Sequence, residues 1–159
     1  MCDHCGCEEL SSIEELTWEH DLVLGLISDM RAARTDGDVP RMADLAGQIA
    51  AVLGSHTEVE EKGLFPALAA EFPDEMALLA AEHRRVHAVL AEASAGPPAD
   101  VTWPDRLAET LALLRLHIFK EQDGVFPEAL ASLHTSDWDA VDAARAEAHG
   151  IRPSANSAR

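Results

Sequence analysis

His56-Thr57-Glu58-Val59-Glu60 is the stretch whose reading decides this chain, together with its echo at His117-Ile118-Phe119-Lys120-Glu121. In each, a histidine and a glutamate stand four residues apart, which on a helix of 3.6 residues per turn puts both side chains on one face. An imidazole paired with a carboxylate in this way is metal-ligand chemistry. The text after each pair is repeated too, Gly63-Leu64-Phe65-Pro66 beside Gly124-Val125-Phe126-Pro127.

Working outward, a second echo precedes each pair: Glu19-His20-Asp21-Leu22-Val23 matches Glu82-His83-Arg84-Arg85-Val86. The chain therefore reads as two related halves. Each is a helical hairpin with one histidine on its first helix and a His-x-x-x-Glu on its second. One residue breaks the symmetry: the second half has His87 where the first has Leu24.

The helical periodicity supports this plan. Ser11 and Ser12, each followed three residues later by a glutamate, predict the first helix start, and Ile13, Leu16, Val23, Leu24, Ile27 and Met30 continue it until Thr35-Asp36-Gly37. A second helix is expected from about Arg41 toward Leu68, a third from Glu75 to about Ala93, and a fourth from about Pro104 to Leu133. Pro66 and Pro127 sit inside the second and fourth patterns, so a kink or short break is expected near Phe65 and Phe126. Ser136 with Asp139 opens a short fifth helix that stops at Gly150. The expected fold is all-α: an antiparallel up-down-up-down four-helix bundle plus a short C-terminal helix. Its segments are a cysteine-rich leader over 1–10, the bundle over 11–135, an accessory helix over 136–149, and a polar, disordered tail over 150–159.

Composition agrees. At 159 residues and 47% hydrophobic the chain can bury one core, and the 4% aromatic content favours helix-on-helix packing. With no tyrosine, tyrosyl-radical chemistry is excluded. A net charge of −17 would repel a phosphate backbone, so no nucleic-acid partner is expected. No apolar run is long enough to span a bilayer and no secretory signal opens the chain, so a soluble, cytoplasmic protein is expected, with no membrane partner.

Seven residues form the candidate metal set: His20, His56, Glu60, His83, His87, His117 and Glu121. A lone histidine in an apolar stripe is ordinarily a satisfied core residue. The set is different, because burying so many ionisable groups unpaired would cost several kcal/mol each against a net stability of about 5–15 kcal/mol. Seven ligands exceed one zinc and fill most of two six-coordinate shells, for which iron is the natural occupant, with manganese or a mixed pair as the alternatives. The odd count leaves one metal less saturated. Glu58, Glu61 and Glu82 are expected to face solvent. No histidine is preceded at the third position by glutamate, so the Glu-x-x-His motif of ferritin-like carboxylate bundles is absent.

Cys2, His4, Cys5 and Cys7 crowd the start of the chain. They are a candidate additional metal or redox site, or only a flexible end; three cysteines so close together cannot staple the fold. His134 and His149 lie outside the repeat and are expected on the surface.

One histidine, then His-x-x-x-Glu, then His-x-x-x-His, then a histidine with a carboxylate, on four successive helices, resembles the hemerythrin family and specifically its bacterial HHE cation-binding domains. The resemblance runs from about Ser11 to Leu133. It implies two iron ions joined by an oxo or hydroxo bridge. His83, His87 and His117 would cap one iron and His20 and His56 the other, with Glu60 and Glu121 bridging. The open position beside His20 and His56 would admit dioxygen, peroxide or nitric oxide, walled by Leu24 and Leu114. The oxygen-carrying branch ends its fourth-helix motif with an aspartate five residues after the histidine. Here Glu121 stands four after His117, which resembles the HHE branch of sensors and enzymes. The expected function is binding or sensing a small oxidant or gas. A di-iron enzyme degrading peroxide or reducing nitric oxide, with a redox partner still to be identified, and an iron-responsive interaction module are the alternatives.

Overall fold

A computed structural model of the chain describes residues 7–150. Helix α1 (Cys7–Thr35) is followed by α2 (Val39–Val59), a π-helical turn (Glu60–Leu64), and α3 (Phe65–Leu68). Then come α4 (Pro73–Ala91), α5 (Trp103–Lys120), a second π turn (Glu121–Val125), α6 (Phe126–Ser132) and α7 (Thr135–Ala148). Among the described residues there is no strand. Helix α1 packs on α2 and α5, and α4 packs on α2 and α5, which closes the up-down-up-down ring; α7 lies against α2 and the first π turn.

Helix α1 begins at Cys7, ahead of the expected start at Ser11, so residues 7–10 are helix rather than leader. Glu9 suits the positive end of the helix dipole. Ser12 does not cap; its hydroxyl donates to Asp142 of α7 at 2.9 Å. The chain leaves α1 through Gly37 at φ +68°, a left-handed position that favours glycine. Asp38 then caps α2 by accepting from the Arg41 amide. Helix α7 is capped by His134 with a reciprocal bond to Asp137, two residues before the expected Ser136.

The breaks expected at Pro66 and Pro127 are present, and both take the same form. A proline cannot donate to the carbonyl four residues back and its ring collides with it. The preceding turn widens instead, so that the Phe65 amide reaches back five residues to the Glu60 carbonyl and the Phe126 amide to that of Glu121. Each π turn therefore starts on one of the two glutamates of the motif.

The apolar interior is split into two clusters. One gathers Val23, Leu53, Val86, Leu114 and Ile118 with Trp103, whose indole donates to the Val89 carbonyl. The other gathers Leu16, Val59, Leu79 and Val125 with Phe65, Phe126, Trp138 and Val141. Helices α1, α2 and α4 each pass from one cluster to the other with their histidine in between, and α5 carries His117 at the end of the first cluster, before the chain enters the second at Val125. The result is a polar layer sealed between two apolar ones.

Candidate metal centre

Helices α1, α2, α4 and α5 bring His20, His56, His83 and His117 to that layer, and the π turns add Glu60 and Glu121. All six are buried. Their ligand atoms form two groups: His20, His56, Glu60 and Glu121, and Glu60, His83, His117 and Glu121, with the atoms of each group within 4.8 Å of one another. The two glutamates belong to both.

The contacts explain the sharing. Glu60 sets Oε1 3.0 Å from His56 Nε2 and Oε2 3.2 Å from His83 Nε2. Glu121 sets Oε2 3.2 Å from His20 Nε2 and turns Oε1 to His117 Nε2, 3.7 Å from His83 Nε2. Each carboxylate thus offers one oxygen to each group. The halves mirror one another in their rings as well: His20 and His56 lie 4.6 Å apart at 51°, His83 and His117 4.6 Å apart at 52°. Phe126 stacks on His20 and Phe65 on His83, so each Phe-Pro echo covers an imidazole of the opposite half.

Electrostatics show what the layer lacks. Burial opposes a charged imidazole at His56, yet the Glu60 charge and contacts with Glu19 and Glu60 outweigh it and push the pKa up to about 10. His83 is raised to about 10 against burial by contacts with Glu121 and Glu60. His117 is raised against burial chiefly by Glu121. Glu121 is held well below the usual carboxylate range, against burial, by polar contacts with Glu60 and the surrounding imidazoles. The contacts of Glu60 and Glu121 with the imidazoles are close but are not oriented as hydrogen bonds. Both oxygens of Glu60 and Glu121 and both nitrogens of His20 are buried without a hydrogen-bond partner. Orphaned, water-excluded carboxylates and imidazoles are costly unless a cation completes them. The donor set, hard oxygens with neutral imidazoles, fits a pair of transition-metal cations.

Two carboxylates support the imidazoles from behind. His117 Nδ1 donates to Glu82 Oε2 at 2.7 Å, and Lys120 Nζ donates to the other oxygen at 2.7 Å. His56 Nδ1 faces Glu19 Oε1 at 3.4 Å, and Arg145 Nη1 lies 2.8 Å from that same oxygen. The expectation that Glu82 faces solvent is therefore corrected: it is buried, with its carboxyl pKa lowered, against burial, by Lys120 and His117. Glu19 is lowered likewise, against burial, by His56 and Arg145. Neither Glu19 nor Arg145 stood out by spacing; the signal for both carboxylates was the repeated Glu-His dipeptide at Glu19-His20 and Glu82-His83. Glu58 and Glu61 are exposed as expected, although Glu61 Oε1 comes within 3.4 Å of His83 Nδ1.

His87 does not join either group. It is half-buried, with Nε2 3.1 Å from the Thr57 hydroxyl. That hydroxyl donates to the Leu53 carbonyl, so it accepts from His87. Burial and the neighbouring His83 lower the His87 pKa. Leu114 is buried in the first apolar cluster and Leu24 packs half-buried against it. Leu24 lines a cavity of about 250 Å³ with Ile27, Ser28, Arg31, Arg115 and Phe119, and Leu114 does not. Cys2, His4 and Cys5 lie outside the described residues, as does the tail 151–159, and Cys7 enters only as the first residue of α1. His134 and His149 are exposed. No described helix is long and apolar enough to cross a membrane.

Neither curated proteins nor solved structures yielded a match. A family model does match: the Hemerythrin HHE cation binding domain, over residues 11–129, which takes in every helix that brings a residue to the polar layer. This chain belongs to the hemerythrin family, as a four-helix cation-binding domain whose buried histidines and glutamates could hold metal.

Proposed function

We propose that this protein is a non-haem di-iron protein that binds or senses a small oxidant or gas: dioxygen, peroxide or nitric oxide. The observation that carries the reading is the sharing of Glu60 and Glu121, each offering one oxygen to each of two histidine pairs. Two independent single-metal sites would not need that sharing. His20 and His56 would hold one ion and His83 and His117 the other, between the bridging carboxylates. Iron bound there would supply one-electron redox chemistry toward such a molecule.

The chain's own residues set the rest. Glu82 fixes the tautomer of His117 by accepting from Nδ1, and Glu19 stands at the same place behind His56, so each Nε2 is presented to the layer. The two apolar clusters and the stacked Phe65 and Phe126 keep bulk water out. The asymmetry between Leu24 and His87 favours the His20–His56 side as the place for an incoming molecule, since one turn past His20 the wall is apolar. Among the described residues that line the cavity with Leu24 there is no carboxylate or histidine, which favours binding over rapid turnover.

The test is the absorption spectrum of the iron-loaded, reduced protein before and after anaerobic addition of each candidate. The reading expects a change for at least one of dioxygen, peroxide or nitric oxide that is lost in His56→Ala. No change with any of them overturns it. Sustained consumption of peroxide or nitric oxide would establish the enzyme alternative instead.

A further inference from the structure

We infer that α7, which lies beyond the segment matched by the family model, is a working part of the centre: Arg145 is a positioning residue that acts through Glu19 on His56. It thereby governs how tightly the His20–His56 half holds its cation. The inference rests on the two-metal reading above.

Helix α7 touches the site at two places. Arg145, largely buried, sets Nη1 2.8 Å from Glu19 Oε1, the oxygen that faces His56 Nδ1, and Nε 3.4 Å from Glu15 Oε2. One turn earlier, Val141 lies against Gly63 in the π turn that begins with Glu60. A Cβ at position 63 would come within 2.8 Å of the Val141 Cα, so this approach requires glycine. Lys62 of the same turn donates to Glu147 at 3.3 Å. One helix thus braces both ligands that the second helix supplies, His56 through Glu19 and Glu60 through the turn.

The other half is built differently. Glu82 is held by Lys120, which comes from α5 itself three residues after His117 and is half exposed. Among the described residues, nothing plays the part of α7 there. Lysine is a flexible point charge, whereas arginine is permanently charged, and here both Nη atoms are buried without an oriented hydrogen bond, so the pull on Glu19 is ionic. With Glu19 held, its oxygen accepts from the Nδ1–H of His56 and leaves Nε2 for the layer. With Arg145 gone, Glu19 is a buried carboxylate free to turn away, and the ring loses its orientation. Removing the support behind a ligating histidine typically weakens metal binding about 10–100-fold.

The test titrates the full-length, metal-free chain anaerobically with Co²⁺, read by heat and by visible ligand-field absorption. If the wild type takes two ions and Arg145→Met takes one as the wild type does and the other about 10–100-fold more weakly, with Arg145→Lys recovering part of the loss, the inference holds. Adding His20→Ala to Arg145→Met should then cost little more, whereas adding His117→Ala should abolish the remaining tight site. Two unaltered affinities in Arg145→Met overturn it, as does equal weakening of both ions, which marks a merely structural role. Glu19→Gln, which keeps an acceptor for His56 but removes the charge that Arg145 faces, should reproduce the selective loss if Arg145→Met folds poorly; equal loss of both ions there also overturns it. A wild type that takes fewer than two ions overturns the two-metal reading itself.

Discussion

Glu60 and Glu121 are the residues on which both groups depend. Glu60→Ala removes an oxygen from each group, so both ions should bind more weakly, whereas His20→Ala should weaken one; competition against a chelator reads the difference. Glu82→Gln keeps an acceptor for His117 but removes its charge, and a loss of about 10–100-fold in affinity is expected in the second group. Metal uptake should also release protons, because His56 and His83, held charged to about pH 10, must be neutral to ligate. About two protons per chain at pH 7, measured in weak buffer, is the expected yield from these two rings. Most of this was legible beforehand: histidine and glutamate four apart announce a shared face. Glu82 was misread because a residue next to a ligand points about 100° round the helix and looks solvent-bound until the neighbouring helix is in place. His87 shares a face with His83 by spacing, but its partner Thr57 stands on another helix, and no spacing rule reveals that.

At the scale of the element, the Phe-Pro echoes are the informative parts. The prolines foretold the breaks, since a missing donor and a ring clash are local facts. They did not foretell the form. A kink, a bulge or a short loop would each relieve the clash, and the widened π turn prevails here while the chain continues as helix on both sides, crossing from the first apolar cluster to the second. The turn also directs Phe65 onto His83 and Phe126 onto His20. Phe65→Ala should therefore cost about 3–5 kcal/mol, as large-to-small core substitutions do, and Phe126→Ala the same. Urea unfolding of the metal-loaded protein is the check. Similar losses for the two would reflect the mirrored packing. The position of α7 was not legible, because Arg145 and Glu19 are far apart in sequence and only packing joins them.

For the whole molecule, the polar layer between two apolar clusters means that metal and fold are coupled. A cation that binds only the folded chain stabilises it by about 2.7 kcal/mol at a hundredfold excess over its dissociation constant. In a chain of this size that is roughly 5–10 °C of melting temperature for each ion, so chelation should lower the transition by that amount or more. The metal-free protein should also depend on pH. His56 and His83 have pKa values raised from 6.5 to about 10, so their contribution is complete below pH 6.5 and is lost as pH climbs toward 10. Glu121, lowered from 4.5, contributes above pH 4.5 and loses its effect only in stronger acid. A urea midpoint that falls between pH 6.5 and 10 in the metal-free form is the expected result.

Metal analysis of the purified protein, wild type beside Glu60→Ala, decides whether Glu60 and Glu121 hold two metal ions between two histidine pairs. The account predicts about two irons per chain in the wild type and a loss of both in the variant. A fully folded wild-type chain with one ion, or with no transition metal at all, would contradict it.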